Sequence, residues 1–168
     1  ASGANPQTAD DAYSIDVEIT DGDVNTVTVA GKVDITDDGP VASADTGSVV
    51  EGATLSVSAR SGVLANDLSG ADGFATTTLV GVAAGSDTSS AVSGGVGSGV
   101  AGTYGTLTLS ADGSYTYVAT ADAVVSGNET DVFVYTVEDS DGDVSTTTLT
   151  ISVSNSDLSG SVSGDLST

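Results

Sequence analysis

Val132-Phe133-Val134-Tyr135-Thr136-Val137-Glu138 leads into Asp139-Ser140-Asp141-Gly142-Asp143, and Thr147-Thr148-Leu149-Thr150-Ile151-Ser152-Val153 leads out of it. The flanking segments are rich in Val, Thr and aromatic residues, which suit a pleated, half-buried surface. The residues between them are turn formers: Gly reaches positive φ without strain, and Asp bonds its own backbone. The stretch predicts a long β-hairpin closed by an acidic turn.

The same arrangement occurs near the start of the chain. Tyr13-Ser14-Ile15-Asp16-Val17-Glu18-Ile19-Thr20 alternates apolar and polar residues, placing Tyr13, Ile15, Val17 and Ile19 on one strand face. Asp21-Gly22-Asp23 follows, and a second alternating run over 27–35 completes a hairpin before Asp37-Asp38-Gly39-Pro40 breaks the pattern. Asp21-Gly22-Asp23-Val24 matches Asp141-Gly142-Asp143-Val144 at a spacing of 120 residues. An internal repeat of that kind is expected of a segment of a longer, tandem array. Residues 1–36 then read as a loose polar start and the closing hairpin of a preceding unit, 37–155 as a complete unit, and 156–168 as a linker or the beginning of another. In the competing arrangement, the first hairpin adds strands to the same sandwich.

Within the full unit, strands are expected over 41–48, 53–59, 76–82, 105–110, 114–120, 131–138 and 145–153. Short strands separated by turn signals predict an all-β fold, an antiparallel β-sandwich of immunoglobulin or cadherin type. Leu107, Leu109, Tyr115 and Tyr117 flank Ala111-Asp112-Gly113, a tight hairpin turn, and with Tyr104, Phe74, Phe133 and Tyr135 are expected to pack the core and across strands. The Gly-, Ser- and Ala-rich stretch 81–102 is expected to be the least ordered inner segment.

Of the 168 residues, 24 are Asp or Glu and two are Lys or Arg, a formal charge of −22, and there is no His, Cys, Met or Trp. Without Cys or His there is no disulfide, thiol nucleophile, Ser-His-Asp triad, or nitrogen or sulfur metal site. The charge opposes nucleic acid and anionic lipid, and no apolar run approaches the roughly 20 residues of a membrane helix. A glycosidase is disfavoured because no Trp offers a sugar platform and the acids sit in hydrophilic turns, so no enzyme activity is expected. The missing cysteines fit an extracellular bacterial surface protein that does not rely on disulfides, and equally a protein of the cytosol.

What remains is oxygen chemistry. In sandwich order, the loop over 64–73, the turn over 139–143 and the linker before the first strand meet at one pole. That pole gathers Asp37, Asp38, Asn66, Asp67, Asp72, Asp139, Asp141 and Asp143, with Asp21 and Asp23 in the matching turn of the first hairpin. Glu51 lies in a turn at the opposite pole. Two carboxylates about 4 Å apart repel by roughly 4 kcal/mol at an effective dielectric of about 20, so such a cluster opposes folding unless a cation joins it. Calcium fits, because it takes roughly six to eight oxygen ligands in flexible geometry, whereas magnesium demands a tighter octahedron. Asp139-Ser140-Asp141-Gly142-Asp143 is similar to the start of an EF-hand loop, but Thr150 stands where the bidentate Glu would be, which argues against a helical EF-hand.

Asp37-Asp38-Gly39-Pro40-Val41-Ala42 is followed by Val63-Leu64-Ala65-Asn66-Asp67, and then by Tyr104-Gly105-Thr106-Leu107-Thr108-Leu109 with Ala111-Asp112-Gly113-Ser114-Tyr115-Thr116-Tyr117. Phe133-Val134-Tyr135-Thr136-Val137 with Asp141-Gly142-Asp143 closes the series. In this order and spacing the segments resemble the VCBS-type, cadherin-like immunoglobulin-fold extender repeats of giant bacterial RTX adhesins, over 37–155 with an echo at 13–36. The resemblance implies a secreted, monomeric spacer at the cell surface, stiffened by calcium between neighbouring repeats, that projects distal binding domains for adhesion and biofilm formation. It gives a linker-site role to Asp37 and Asp38 and a loop-site role to Asn66, Asp67, Asp139, Asp141 and Asp143, with Asp72 and Glu51 in secondary positions. At the far boundary Asn155-Ser156-Asp157 stands where the Asp-Asp-Gly-Pro linker is expected. The alternative reading is a calcium-dependent module that binds cell-surface or biofilm polysaccharide.

Overall fold

The structure, a computed structural model, describes residues 38–71 and 73–156 in full, and the backbone of four strands before them. These are β1 (Thr8–Ala9), β2 (Ser14–Thr20), β3 (Thr26–Lys32) and β4 (Ile35–Thr36). β2 and β3 form the expected hairpin, with pairs running from Ser14 and Lys32 to Thr20 and Thr26. β1 pairs antiparallel with β4.

The remaining strands are β5 (Asp45–Val50), β6 (Thr54–Val57), β7 (Phe74–Ala84), β8 (Gly99–Ala101), β9 (Gly105–Leu109), β10 (Tyr115–Ala119), β11 (Asn128–Asp139) and β12 (Val144–Ser154). A single 3-10 turn, Ala59–Ser61, is the one helical element among the described residues. Two four-stranded sheets result, in the orders β5-β12-β11-β7 and β6-β10-β9-β8, which make an all-β sandwich. Neighbours are antiparallel except that β5 runs parallel to β12, from Asp45 beside Leu149 to Val50 beside Ser154.

Period-two patterning places the core. In β9 and β10 buried positions alternate with more exposed ones, so Leu107, Leu109, Tyr115, Tyr117 and Ala119 point inward from one sheet. Phe133, Tyr135, Val137, Leu149, Ile151 and Val153 meet them from the other. The Tyr117 and Phe133 rings pack edge to face at 6.2 Å and 68°, the geometry their quadrupoles favour. Tyr104 and Phe74 are half-buried against this cluster.

Two expectations change. The stretch 81–102 is not loose: β7 continues to Ala84, β8 pairs with β9, and the segment between them returns along β7. Val82 N–H donates to Gly94 O at 2.9 Å, Gly94 N–H to Val80 O at 2.9 Å, and Val92 N–H to Thr136 Oγ1 at 2.9 Å. A Cβ on Gly81 would lie 2.1 Å from Val92 O, so small side chains here allow backbone to lie on backbone. The strand expected from Val41 begins only at Asp45, because Val41 exchanges both backbone hydrogen bonds with Leu68, at 2.8 and 2.9 Å, rather than with the sheet.

Candidate metal centre

The β11–β12 turn is built around one side chain. Asp139 is 1% exposed. Its Oδ1 accepts from Gly142 N–H at 3.0 Å and Asp143 N–H at 2.8 Å, while its own N–H donates to Asp143 O at 3.0 Å. Gly142 at φ 103° lets the chain close in this way. Ser140 then fastens the turn to the start of β7, its N–H reaching Gly73 O at 3.0 Å and its hydroxyl both Gly73 O and Phe74 O at 3.2 Å.

Asp139 Oδ2 is buried and accepts no hydrogen bond. One carboxylate oxygen from each of Asp139, Asp141 and Asp143 lies within 4.8 Å of the others, with Asp139 buried, Asp143 half-buried and Asp141 exposed. A bare buried carboxylate oxygen costs its full desolvation, and two further acids beside it add repulsion. A hard cation removes both costs. The donor set is all oxygen on a turn open to solvent at Asp141, which fits calcium better than a softer or more rigid metal.

A second acidic group lies where the loop after the 3-10 turn meets the segment before β5. Tyr135, fully buried, places its hydroxyl 2.7 Å from Asp45 Oδ2, 3.0 Å from Ser43 O, 3.2 Å from Val63 O and 3.4 Å from Asp67 Oδ2. A phenol has one proton for four acceptors, so oxygens are crowded there. Burial pushes the Asp67 carboxyl up to about 6, opposed by the Ser43 N–H on its Oδ1 at 2.7 Å and reinforced by the charge of Asp45. Burial also raises Asp45, and desolvation with the same two carboxylates raises the Tyr135 phenol far above its ordinary range. Asn66 Nδ2 donates to Ala44 O at 3.4 Å.

The expected acidic pole therefore divides. Asp139, Asp141 and Asp143 share one turn, and Asn66 and Asp67 join Asp45 nearby. Asp38 is exposed in the linker, whose carbonyl would meet a Cβ on Gly70 at 2.0 Å, so linker and loop touch through backbone. Ala42 N–H donates to Ser145 Oγ at 3.0 Å and links this segment to the start of β12. Asp21, Asp23, Asp37 and Asp72 lie outside the described residues.

Glu51 is at the other end. β12 starts beside the acidic turn and finishes beside Glu51, a span of about 33 Å at about 3.3 Å per residue. The Glu51 carboxylate, 6% exposed, takes Val124 N–H on Oε2 at 2.8 Å, and Ser156 N–H at 2.9 Å and Ser156 Oγ at 3.1 Å on Oε1. The Ser156 amide, then that of Val124, holds its pKa below the usual range.

Two acids, the half-buried Asp45 and the buried Asp131, gave no signal in sequence. Asp45 is hidden inside a strand pattern. Asp131, 4% exposed in mid-strand, accepts Thr103 N–H at 2.7 Å, Tyr104 N–H at 3.0 Å and Tyr117 OH at 2.5 Å, and so ties the β8–β9 connection to β11. Its oxygens are satisfied by the chain itself, unlike Asp139 Oδ2.

A family model for the bacterial cadherin-like domain matches residues 37–155. No curated protein matches the chain.

Proposed function

The chain belongs to the bacterial cadherin-like domain family, and on that premise we propose that it is an extender unit of a large secreted adhesin of the RTX type, stiffened by calcium at the bacterial cell surface. The observation that carries the calcium reading is the bare, buried Oδ2 of Asp139 inside a three-carboxylate turn. Among the described residues no helix is long and apolar enough to cross a membrane.

In this reading Asp139, Asp141 and Asp143 hold the ion, and Ser140 keeps their turn fixed to β7. Asn66, Asp67 and Asp38, with Asp37 and Asp72, serve the linker side of the same pole. Calcium supplies positive charge and oxygen coordination there. The residues supply a turn closed before the ion arrives, so little ordering remains to be done on binding. Neutralising the pole joins linker, loop and hairpin, so that neighbouring units bend less about one another. Extracellular calcium modules bind at about 10⁻⁴ to 10⁻³ M, and an ion at about 100 times its dissociation constant adds about 2.7 kcal/mol per site. The test is calorimetric titration with calcium, together with scattering from consecutive units with and without chelator. The expected result is millimolar-range binding that Asp139→Asn with Asp141→Asn abolishes, and a longer, stiffer particle in calcium. No heat and unchanged scattering would overturn the reading.

A further inference from the structure

Beyond the last β5–β12 pair, Val50 with Ser154, an outgoing chain has no sheet to hold it and ordinarily frays. Here it is caught. Glu51 N–H donates to Ser154 O at 2.9 Å, Asn155 N–H to Gly127 O at 3.0 Å, and the Asn155 side-chain amide to Val124 O. The Glu51 carboxylate takes both donors of Ser156, while its second oxygen is fixed by the amide of Val124, a residue 2% exposed in the core. Glu51 itself is aimed by the turn that follows β5, where Gly52 sits at φ 74°. The exit is thus bound to both the β5–β6 turn and the β10–β11 connection.

We propose that Glu51, with Asn155 and Ser156, is a positioning clamp that fixes, without a cation, the direction in which the polypeptide leaves the sandwich, and so the direction from which calcium at the next unit's entry pole orients that unit. The inference rests on the tandem-array reading, and the clamp itself does not rest on calcium. The carboxylate already has the Ser156 N–H and O–H on Oε1 and the Val124 N–H on Oε2, leaving no bare oxygen of the kind seen at Asp139. Among the described residues the group of three acids able to share an ion is at the opposite pole. The repeat supports it as well: at the 120-residue spacing Ser156-Asp157 falls on Thr36-Asp37, so a hydroxyl residue followed by Asp leaves the preceding hairpin too.

The chain has no cysteine, so spin labels can be placed at will through Thr116→Cys, exposed on β10, and Leu158→Cys, two residues past Ser156. The distance distribution between them is measured in calcium and in chelator, in the parent, in Glu51→Gln and in Ser156→Pro, which removes the Ser156 N–H and leaves the core untouched. The expected result is a narrow distribution for the parent in both solutions, at least doubled in width by either substitution in both. A carboxylate that served only stability would lower the melting temperature and leave the width alone. Unchanged widths in both variants overturn the clamp, as does a parent distribution that narrows only in calcium. Scattering from two consecutive units reads the array separately: free bending between units whose residue 158 stays narrowly placed would break the array reading and the orientation of the next unit, and leave the local clamp standing.

Discussion

Asp139 at one pole and Glu51 at the other are both carboxylates with less than a tenth of their surface exposed, yet their surroundings differ in kind. Glu51 receives donors on both oxygens from chain segments that converge on it. Asp139 spends one oxygen closing its own turn and leaves the other bare beside two further acids. Burial of an acid is therefore no guide to what it binds. The donor count around each oxygen separates an acid the fold completes by itself from one it leaves incomplete.

The largest expected effect comes from removing the cation. Chelation lowers the melting temperature of the parent by about 5–10 °C, the counterpart of about 2.7 kcal/mol in a domain of this size; a calorimetric scan checks it. Next, Asp139→Asn keeps an Oδ1 acceptor for the Gly142 and Asp143 amides while removing the bare charge. In chelator it is expected to be more stable than the parent by roughly 1–2 kcal/mol, and calcium no longer stabilises it, which chemical denaturation in the two solutions reads. Glu51→Ala should behave oppositely, with a loss that is smaller than that from chelation and equal with and without calcium. A calcium-dependent loss there would erase the contrast between the poles.

The smallest effect is one of pH. The folded pKa of Asp67, about 6, lies above its ordinary 3.8. The folded protein thus binds that proton first, and the stability it contributes is complete below about pH 4 and is lost as pH rises through about 6. In chelator, the parent should gain stability relative to Asp67→Asn as pH falls from 7 to 5. Parallel melting curves for the two proteins would show that the Asp45–Asp67 pair is relieved by other means.

Much of the sandwich could be read from the chain because alternation and turn residues act locally. The β9–β10 and β11–β12 hairpins follow from the inward Leu107, Leu109, Tyr115, Tyr117, Phe133 and Tyr135 and from the Asp-Gly turns between strands. The path of 81–102 could not be read, since small residues signal looseness in isolation and close backbone packing only when a partner strand is present, as Gly81 shows against Val92. The acidic turn was visible as a run of Asp. The second acidic group was not, because Asp45, Asp67 and Tyr135 converge from three separated segments. The different surroundings of Glu51 were also illegible, because its partners are backbone amides of Val124 and Ser156, which no side-chain pattern announces.

The parallel pairing of β5 with β12 has a consequence for a molecule under tension. The chain enters the sandwich ahead of β5 at one pole and leaves after β12 at the other, with the two strands side by side over Asp45–Val50 and Leu149–Ser154. Pulling the ends apart drags these strands past each other along their length. Their hydrogen bonds lie across the pull and share the load together, instead of parting one at a time as in a hairpin peeled from its open end. A unit wired in this way resists flow and drag at its first and last strands, before the core is loaded at all.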